Sequence, residues 1–181
     1  MAKENDNSQN SPLGWRGKTL LLIRHAKSSW DSLTLSDFDR PLNERGKNDA
    51  PKMAKGLLKR KVKIDAFISS PAKRAKKTAE YFAKEYGRKE DDIIFVSALY
   101  DESIKDFEVT IKEIDDRHDC VALFSHNPGI TAFANQLIKD ANIDNMPTCS
   151  VFAVKANIDK WKDFSRAKKD YLFFHYPKKD S

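Results

Sequence analysis

The run Thr19-Leu20-Leu21-Leu22-Ile23-Arg24-His25-Ala26 decides the fold, because a near-continuous aliphatic stretch of this length reads as a buried parallel strand. It stops abruptly on Arg24 and His25. In open α/β sheets, ligands bind beyond the carboxyl ends of the strands, so a guanidinium and an imidazole at that edge point to an anion. Val121-Ala122-Leu123-Phe124-Ser125-His126-Asn127-Pro128-Gly129 repeats the pattern, an aliphatic strand ending in a histidine before an Asn-Pro-Gly turn that opens a helix. A third strand, Ile64 to Ser69, runs into Ser70 and Pro71, which fit the cap and first position of a helix that carries Arg74 in its first turn. The amides and dipole at such a helix start favour negative charge. Brought together, Arg24, His25, Arg74 and His126 make a phosphate site with a nucleophile in it.

Strands alternate with helices along the rest of the chain. Glu44 to Lys61 has Ala50, Met53, Ala54, Leu57 and Leu58 at helical spacing, with Asn43 as its cap. Pro71 to Tyr86 places Ala75, Thr78, Ala79 and Phe82 on one face and ends at Gly87. A short strand is expected over Ile93 to Val96, and a helix over Ile104 to Asp116 with Ile104, Phe107, Ile111 and Ile114 as its buried stripe. A further helix is expected over Pro128 to Ile138, and late strands over Ser150 to Ala156 and Tyr171 to Tyr176, the last on an edge. This alternation implies an α/β fold with a doubly wound, mostly parallel sheet.

The motifs resemble those of the histidine phosphatase superfamily, whose hallmark is Arg-His-Gly at the end of the first strand and appears here as Arg24-His25-Ala26. The resemblance continues through Asp39-Arg40-Pro41-Leu42-Asn43-Glu44-Arg45-Gly46, through Ser69 to Ala79, and through Ser125 to Gly129, covering residues 18 to 155 in all. The compact length, the Arg-His-Ala variant and the Asp-Phe-Asp-Arg-Pro-Leu segment are most similar to the SixA-type phosphohistidine phosphatases. The resemblance implies a three-layer α/β/α, phosphoglycerate mutase-like fold. It also implies a metal-independent phosphatase that forms a covalent phosphohistidine.

Phosphoryl transfer needs cations and hydrogen-bond donors around the peripheral oxygens and an in-line nucleophile. Arg24 and Arg74 offer fork-shaped donors suited to phosphate. His25 would attack through a neutral ring nitrogen, and His126 would donate to the same oxygens, its protonated form favoured by the dianion. The resemblance assigns these four positions the same roles. In many relatives a carboxylate protonates the leaving oxygen, and Leu99-Tyr100-Asp101-Glu102 lies where that residue belongs, so either Asp101 or Glu102 is a candidate general acid. A phosphohistidine substrate would depend less on such an acid.

Mutases of the superfamily often continue their motif as Arg-His-Gly-Glu-Ser-x-Trp-Asn, where this chain has Arg24, His25, Ala26, Lys27, Ser28, Ser29, Trp30 and Asp31. A carboxylate at position 31 cannot donate to phosphate when ionised, which argues against a bisphosphoglycerate mutase. The loop Ser28 to Phe38 is expected to form the pocket rim, and its shortness favours an open site. Asp39 and Arg40 are expected to hold that loop by pairing with each other or with the site. Two substrates fit: a phosphorylated protein such as a phosphotransfer domain, or a small phosphate ester. A phosphate-binding adaptor without turnover is the reading from another class.

With 181 residues the chain is expected to be one domain, residues 15 to 181, behind a polar tail from Met1 to Gly14 that has too little apolar surface to order itself. The tail lacks the apolar segment of a signal peptide, and no run approaches the ~18 apolar residues of a membrane helix, so a cytoplasmic protein without a membrane partner is expected. Cys120 and Cys149 each sit in an apolar, strand-like run and read as buried side chains rather than a disulfide or metal pair. The formal charge of +6 is concentrated on lysines such as Lys52, Lys55, Lys59 and Lys73. With no nucleic-acid motif these read as solvated faces that draw in an anionic substrate. There is no Gly-rich phosphate loop, and four histidines are too few for a binuclear metal site, so no cofactor and no catalytic metal are expected.

Overall fold

The computed structural model describes residues 17–30 and 34–178. The tail from Met1 to Gly14 and the carboxylate at Asp31 therefore lie outside the described residues. A six-stranded sheet forms the middle layer, in the order β3-β2-β4-β1-β5-β6. Its strands are β1 (Lys18–Arg24), β2 (Ala66–Ser69), β3 (Ile93–Phe95), β4 (Cys120–Ser125), β5 (Val151–Ala156) and β6 (Lys169–His175). Four run parallel, through the pairs β1 with β4, β4 with β2, and β2 with β3. The last two pairings are antiparallel, β5 along β1 and β6 along β5, so β5 alone runs against the other five strands, the sheet is mixed and β6 is an edge as expected.

Because strand side chains alternate between faces, β1 feeds two cores at once. Leu21 and Ile23 pack with Ala54, Leu57, Phe82 and Phe124 on the side of α1 (Glu44–Lys59) and α2 (Lys73–Glu85). Leu20 and Leu22 pack with Phe107, Phe133, Met146 and Trp161 on the side of α4 (Ile104–Lys112) and α5 (Gly129–Leu137). A four-residue helix, α3 (Ala98–Asp101), precedes α4. The three-layer α/β/α architecture follows from these aliphatic strands, buried on both faces.

Several boundaries differ from the sequence reading, each for a local reason. Asn43 does cap α1, its side chain accepting from the Gly46 amide. Leu58 and Ile104, expected in buried stripes, lie at the edges of theirs and are exposed. Helix α4 ends at Lys112, short of Asp116, and Ile114 still reaches the core from the turn that follows. The helix expected from Pro71 begins only at Lys73, with Ala72 as an extended residue before it. Ser70 does not cap that helix. Its hydroxyl accepts from the Ala72 amide and faces His126 instead. Cys149 is not in a strand but in a turn at φ 62°, where its amide donates to the carbonyls of Arg24 and His25. Both cysteines are free and buried, and burial pushes both thiols up. No helix among the described residues is long and apolar enough to cross a membrane.

Candidate active site

Strands β1, β4 and β2 lie side by side with their carboxyl ends together, which brings Arg24, His126 and Ser70 to one edge of the sheet. The backbone secures the junction: the His25 amide donates to the Ser125 carbonyl at 3.1 Å, and the Ser70 amide to the Phe124 carbonyl at 3.0 Å. Thr78, one turn into α2, accepts from the Ala26 amide and donates to the Arg74 carbonyl, tying the loop after β1 to the helix that carries Arg74. The result is a cleft of about 560 Å³ whose walls include Arg24, His25, Arg74 and His126. All four residues expected to converge do so.

The His25 ring is buried, and its Nδ1 lies 2.8 Å from the Ala26 carbonyl oxygen. A carbonyl only accepts, so Nδ1 carries the proton and Nε2 keeps its lone pair. Arg74 Nε–H donates to that Nε2 at 3.3 Å. The ring is held well below the usual histidine range, chiefly by burial, with His126, Arg74 and Arg24 adding to the effect against the pull of the Ala26 carbonyl. A neutral imidazole that keeps its Nε2 lone pair is what a nucleophile needs, and here that lone pair accepts from Arg74.

His126 sits with its ring centroid 5.2 Å from that of His25, its Nε2 2.7 Å from Ser70 Oγ and its buried Nδ1 without a partner. Burial, then Arg74, brings it down to about 3. The sequence reading had it protonated beside a bound dianion. Without a dianion the ring is neutral, because burial and the guanidinium groups of Arg74, Arg24 and Arg40 outweigh the nearby Asp37 carboxylate. Arg24 Nη1 donates to the Met146 carbonyl at 2.6 Å and to Asn145 Oδ1 at 3.1 Å, while its buried Nε has no partner.

The two carboxylates left open as alternatives now differ. Both line the cleft, but Asp101 is exposed whereas Glu102 is half-buried with Oε2 buried and unpartnered. Burial pushes Glu102 up to about 7, against the Gly129 amide and the charges of Arg74 and Arg24. Gly129 makes this approach possible, since a Cβ there would lie 1.9 Å from the Glu102 carbonyl oxygen.

The rim contains residues that sequence patterning passed over. Asp37 Oδ2 accepts from Arg74 Nη2 at 2.9 Å and from the Tyr100 hydroxyl at 3.0 Å. Arg40 pairs with Asp37 at 3.5 Å and lies 3.6 Å from the centroid of the Trp30 ring, while Asp39 turns away to accept from Ser36. Of the two residues expected to hold the loop, Arg40 does reach the site, through Asp37, whereas Asp39 stays within the loop. The available signal was the Asp-Phe-Asp-Arg-Pro-Leu segment, whose first residue is Asp37. Nothing in a helical or strand period marks a loop carboxylate that meets a helix residue 37 positions on. Lys27 and Ser28 do line the cleft as expected. Among the described residues no group of three or more His, Cys, Asp or Glu is placed to hold a metal ion.

Comparison with known proteins agrees with this geometry. The crystal structure of a candidate phosphohistidine phosphatase SixA from Agrobacterium tumefaciens superimposes with a TM-score of 0.74 at 25% identity, covering 89% of this chain and 99% of that one. An uncharacterized chloroplastic protein of Arabidopsis thaliana is 29% identical over 161 residues, 84% of this chain and 73% of its own length. A 2,3-bisphosphoglycerate-dependent phosphoglycerate mutase of Bartonella tribocorum is 34% identical over 92 residues, but the match spans only 50% of this chain and 45% of the mutase. The family model of the histidine phosphatase superfamily (branch 1) matches residues 20–119, which hold Arg24, His25, Arg74 and the two candidate acids. That match extends over more than half of the 181 residues, and the chain is therefore a phosphatase of the histidine phosphatase superfamily, branch 1.

Proposed function

We propose that the chain is a metal-independent phosphatase that passes the phosphoryl group through His25 and acts on phosphohistidine in a protein. The observation that carries this reading is the His25 ring itself: Nδ1–H tied to the Ala26 carbonyl, and an Nε2 lone pair facing the guanidinium of Arg74. His25 Nε2 attacks phosphorus while the bond from phosphorus to the leaving nitrogen or oxygen breaks. Arg24, Arg74 and His126 take up the charge on the peripheral oxygens. Glu102 gives its proton to the departing group, then accepts one from the water that cleaves the His25 N–P bond and releases inorganic phosphate.

A dianion entering the cleft reverses the balance around His126, raising its tendency to hold a second proton and donate. Trp30 at the rim is 72% exposed and stacks on Arg40, a flat cationic and aromatic border suited to a protein surface around a phosphorylated side chain. The likeness to a SixA structure supports the same substrate class. A small phosphate ester is the second reading, favoured by the elevated Glu102, since an alkoxide leaving group needs a proton more than imidazole does.

The test is to trap labelled phosphate on the wild type, where it is expected on His25, and on His25→Ala, where none is expected. Label on neither protein, with ligand still bound, would leave a phosphate-binding adaptor. Comparing turnover of a phosphohistidine protein with that of sugar and nucleotide phosphates, with a strong chelator present, decides between the two substrates. Loss of activity in the chelator would overturn the metal-independent route.

A further inference from the structure

The guanidinium of Arg74 has two usable edges, and the structure assigns them to different partners. The outer edge is occupied by one residue: Nη1 donates to the Asp37 carbonyl oxygen at 2.6 Å and Nη2 to Asp37 Oδ2 at 2.9 Å. The inner side presents Nε–H to His25 Nε2 at 3.3 Å, the space where a phosphoryl group would meet the nucleophile. An arginine side chain has several rotatable bonds, and ordering them in advance is what separates a bound cation from a correctly aimed one.

Asp37 is itself held. The Tyr100 hydroxyl donates to Oδ2 at 3.0 Å, Arg40 Nη2 stands 3.5 Å from Oδ1, and Phe38 packs edge-on against Tyr100. The Lys73 amide, next to Arg74, donates to the Phe38 carbonyl at 3.0 Å, so the loop is pinned to the start of the very helix whose arginine it grips. Partial burial works against the Asp37 carboxylate, but the hydrogen bond and charge of Arg74, then the Tyr100 hydroxyl and the Arg40 charge, hold it below its ordinary value.

We propose that Asp37 is a positioning residue for phosphoryl transfer, clamping the outer edge of Arg74 so that its Nε–H side is aimed at the reaction centre. This rests on the proposed role of His25 as nucleophile. Asp37 lines the cleft, but its carboxylate is engaged by Arg74, Tyr100 and Arg40 rather than by His25, so its role is exerted through Arg74. Two consequences separate this from a merely structural role. Removing the carboxylate leaves the main-chain contact and all the cationic charge in place, so a static dianion binds at least as well while turnover falls. The effect must also vanish when Arg74 is absent, because coupled residues are non-additive.

The experiment is a double-mutant cycle of Asp37→Ala and Arg74→Ala, read by kcat, by the rate of phosphoenzyme formation in a single turnover, and by calorimetric affinity for inorganic phosphate. Asp37→Ala is expected to lower kcat by about 10- to 100-fold with phosphate affinity unchanged or higher, and to have no further effect on Arg74→Ala. Asp37→Asn, which keeps an acceptor oxygen, is expected to recover most of kcat. If Asp37→Ala does not fold, Asp37→Ser carries the same expectation, its hydroxyl being too short to reach Arg74. Equal losses in both backgrounds, an unchanged kcat, or a parallel loss of phosphate affinity would overturn the assignment. A wild type that forms no phosphoenzyme would instead overturn the reaction on which this role rests, an outcome distinct from an intact phosphoenzyme step that is insensitive to Asp37.

Discussion

Replacing Glu102 by Gln should convert a sloping pH profile into a flat one. A carboxyl at about 7 is about half protonated at neutral pH, whereas at its ordinary 4.5 only about 0.3% would carry a proton. Burial thus multiplies the pool of usable acid by about 150-fold at pH 7. Above pH 7 that pool shrinks tenfold per unit, so kcat/KM for a phosphate ester is expected to fall by about tenfold between pH 8 and pH 9. No acid limb is expected near 6.5, since burial keeps His25 neutral well below that value. Glu102→Gln should lower kcat/KM by about 10²- to 10⁴-fold near pH 6 and abolish the alkaline limb. With a phosphohistidine substrate the loss should be smaller, because imidazole leaves more readily without a proton. Stability gives a second readout with a definite sign. A carboxyl whose folded value is raised favours the folded state when protonated, so its contribution is lost as pH rises from about 4.5 through about 7. The melting temperature of the wild type should therefore decline relative to Glu102→Gln across that window. An alkaline limb near 7 that survives in Glu102→Gln would refute the assignment and turn attention to Asp101.

The other expectations are more local. Gly129→Ala should cost about 1–3 kcal/mol in a denaturant titration, because the new methyl group would lie 1.9 Å from the Glu102 carbonyl oxygen, and activity should fall with the displaced acid; full stability would show that α5 can shift freely. His126, at about 3 in the folded protein, contributes stability above about 6.5 that is lost as pH falls. The melting temperature should thus drop less between pH 7 and pH 5 in His126→Asn than in the wild type, and equal slopes would count against the buried neutral ring. Thr78→Val, which removes the link between the Ala26 amide and the Arg74 carbonyl, should reduce kcat by about tenfold with the fold retained, as circular dichroism and kinetics together would check.

Much of this molecule was legible in its one-dimensional pattern. Leu20 to Ile23 and Val121 to Phe124 are apolar without interruption, which only a strand covered on both faces requires, and that alone implies helices above and below. Arg24, His25 and His126 end such strands, and parallel strands of one sheet end on the same side, so their meeting was already implied by their place in the pattern. Tertiary structure decided what pattern cannot carry. Whether Asp101 or Glu102 is the elevated acid depends on which is desolvated, and that is set by how closely Gly129 lets α5 approach α3. Ser70 looked like a helix cap because caps are a local matter, yet its hydroxyl faces a histidine 56 residues away. Asp37 carried no periodic signal, because a loop carboxylate gains its role only from the guanidinium that folding brings to it. Periodicity records which face of an element is buried; the aim and protonation of a side chain are settled by neighbours distant in sequence, whose positions exist only once the chain has folded.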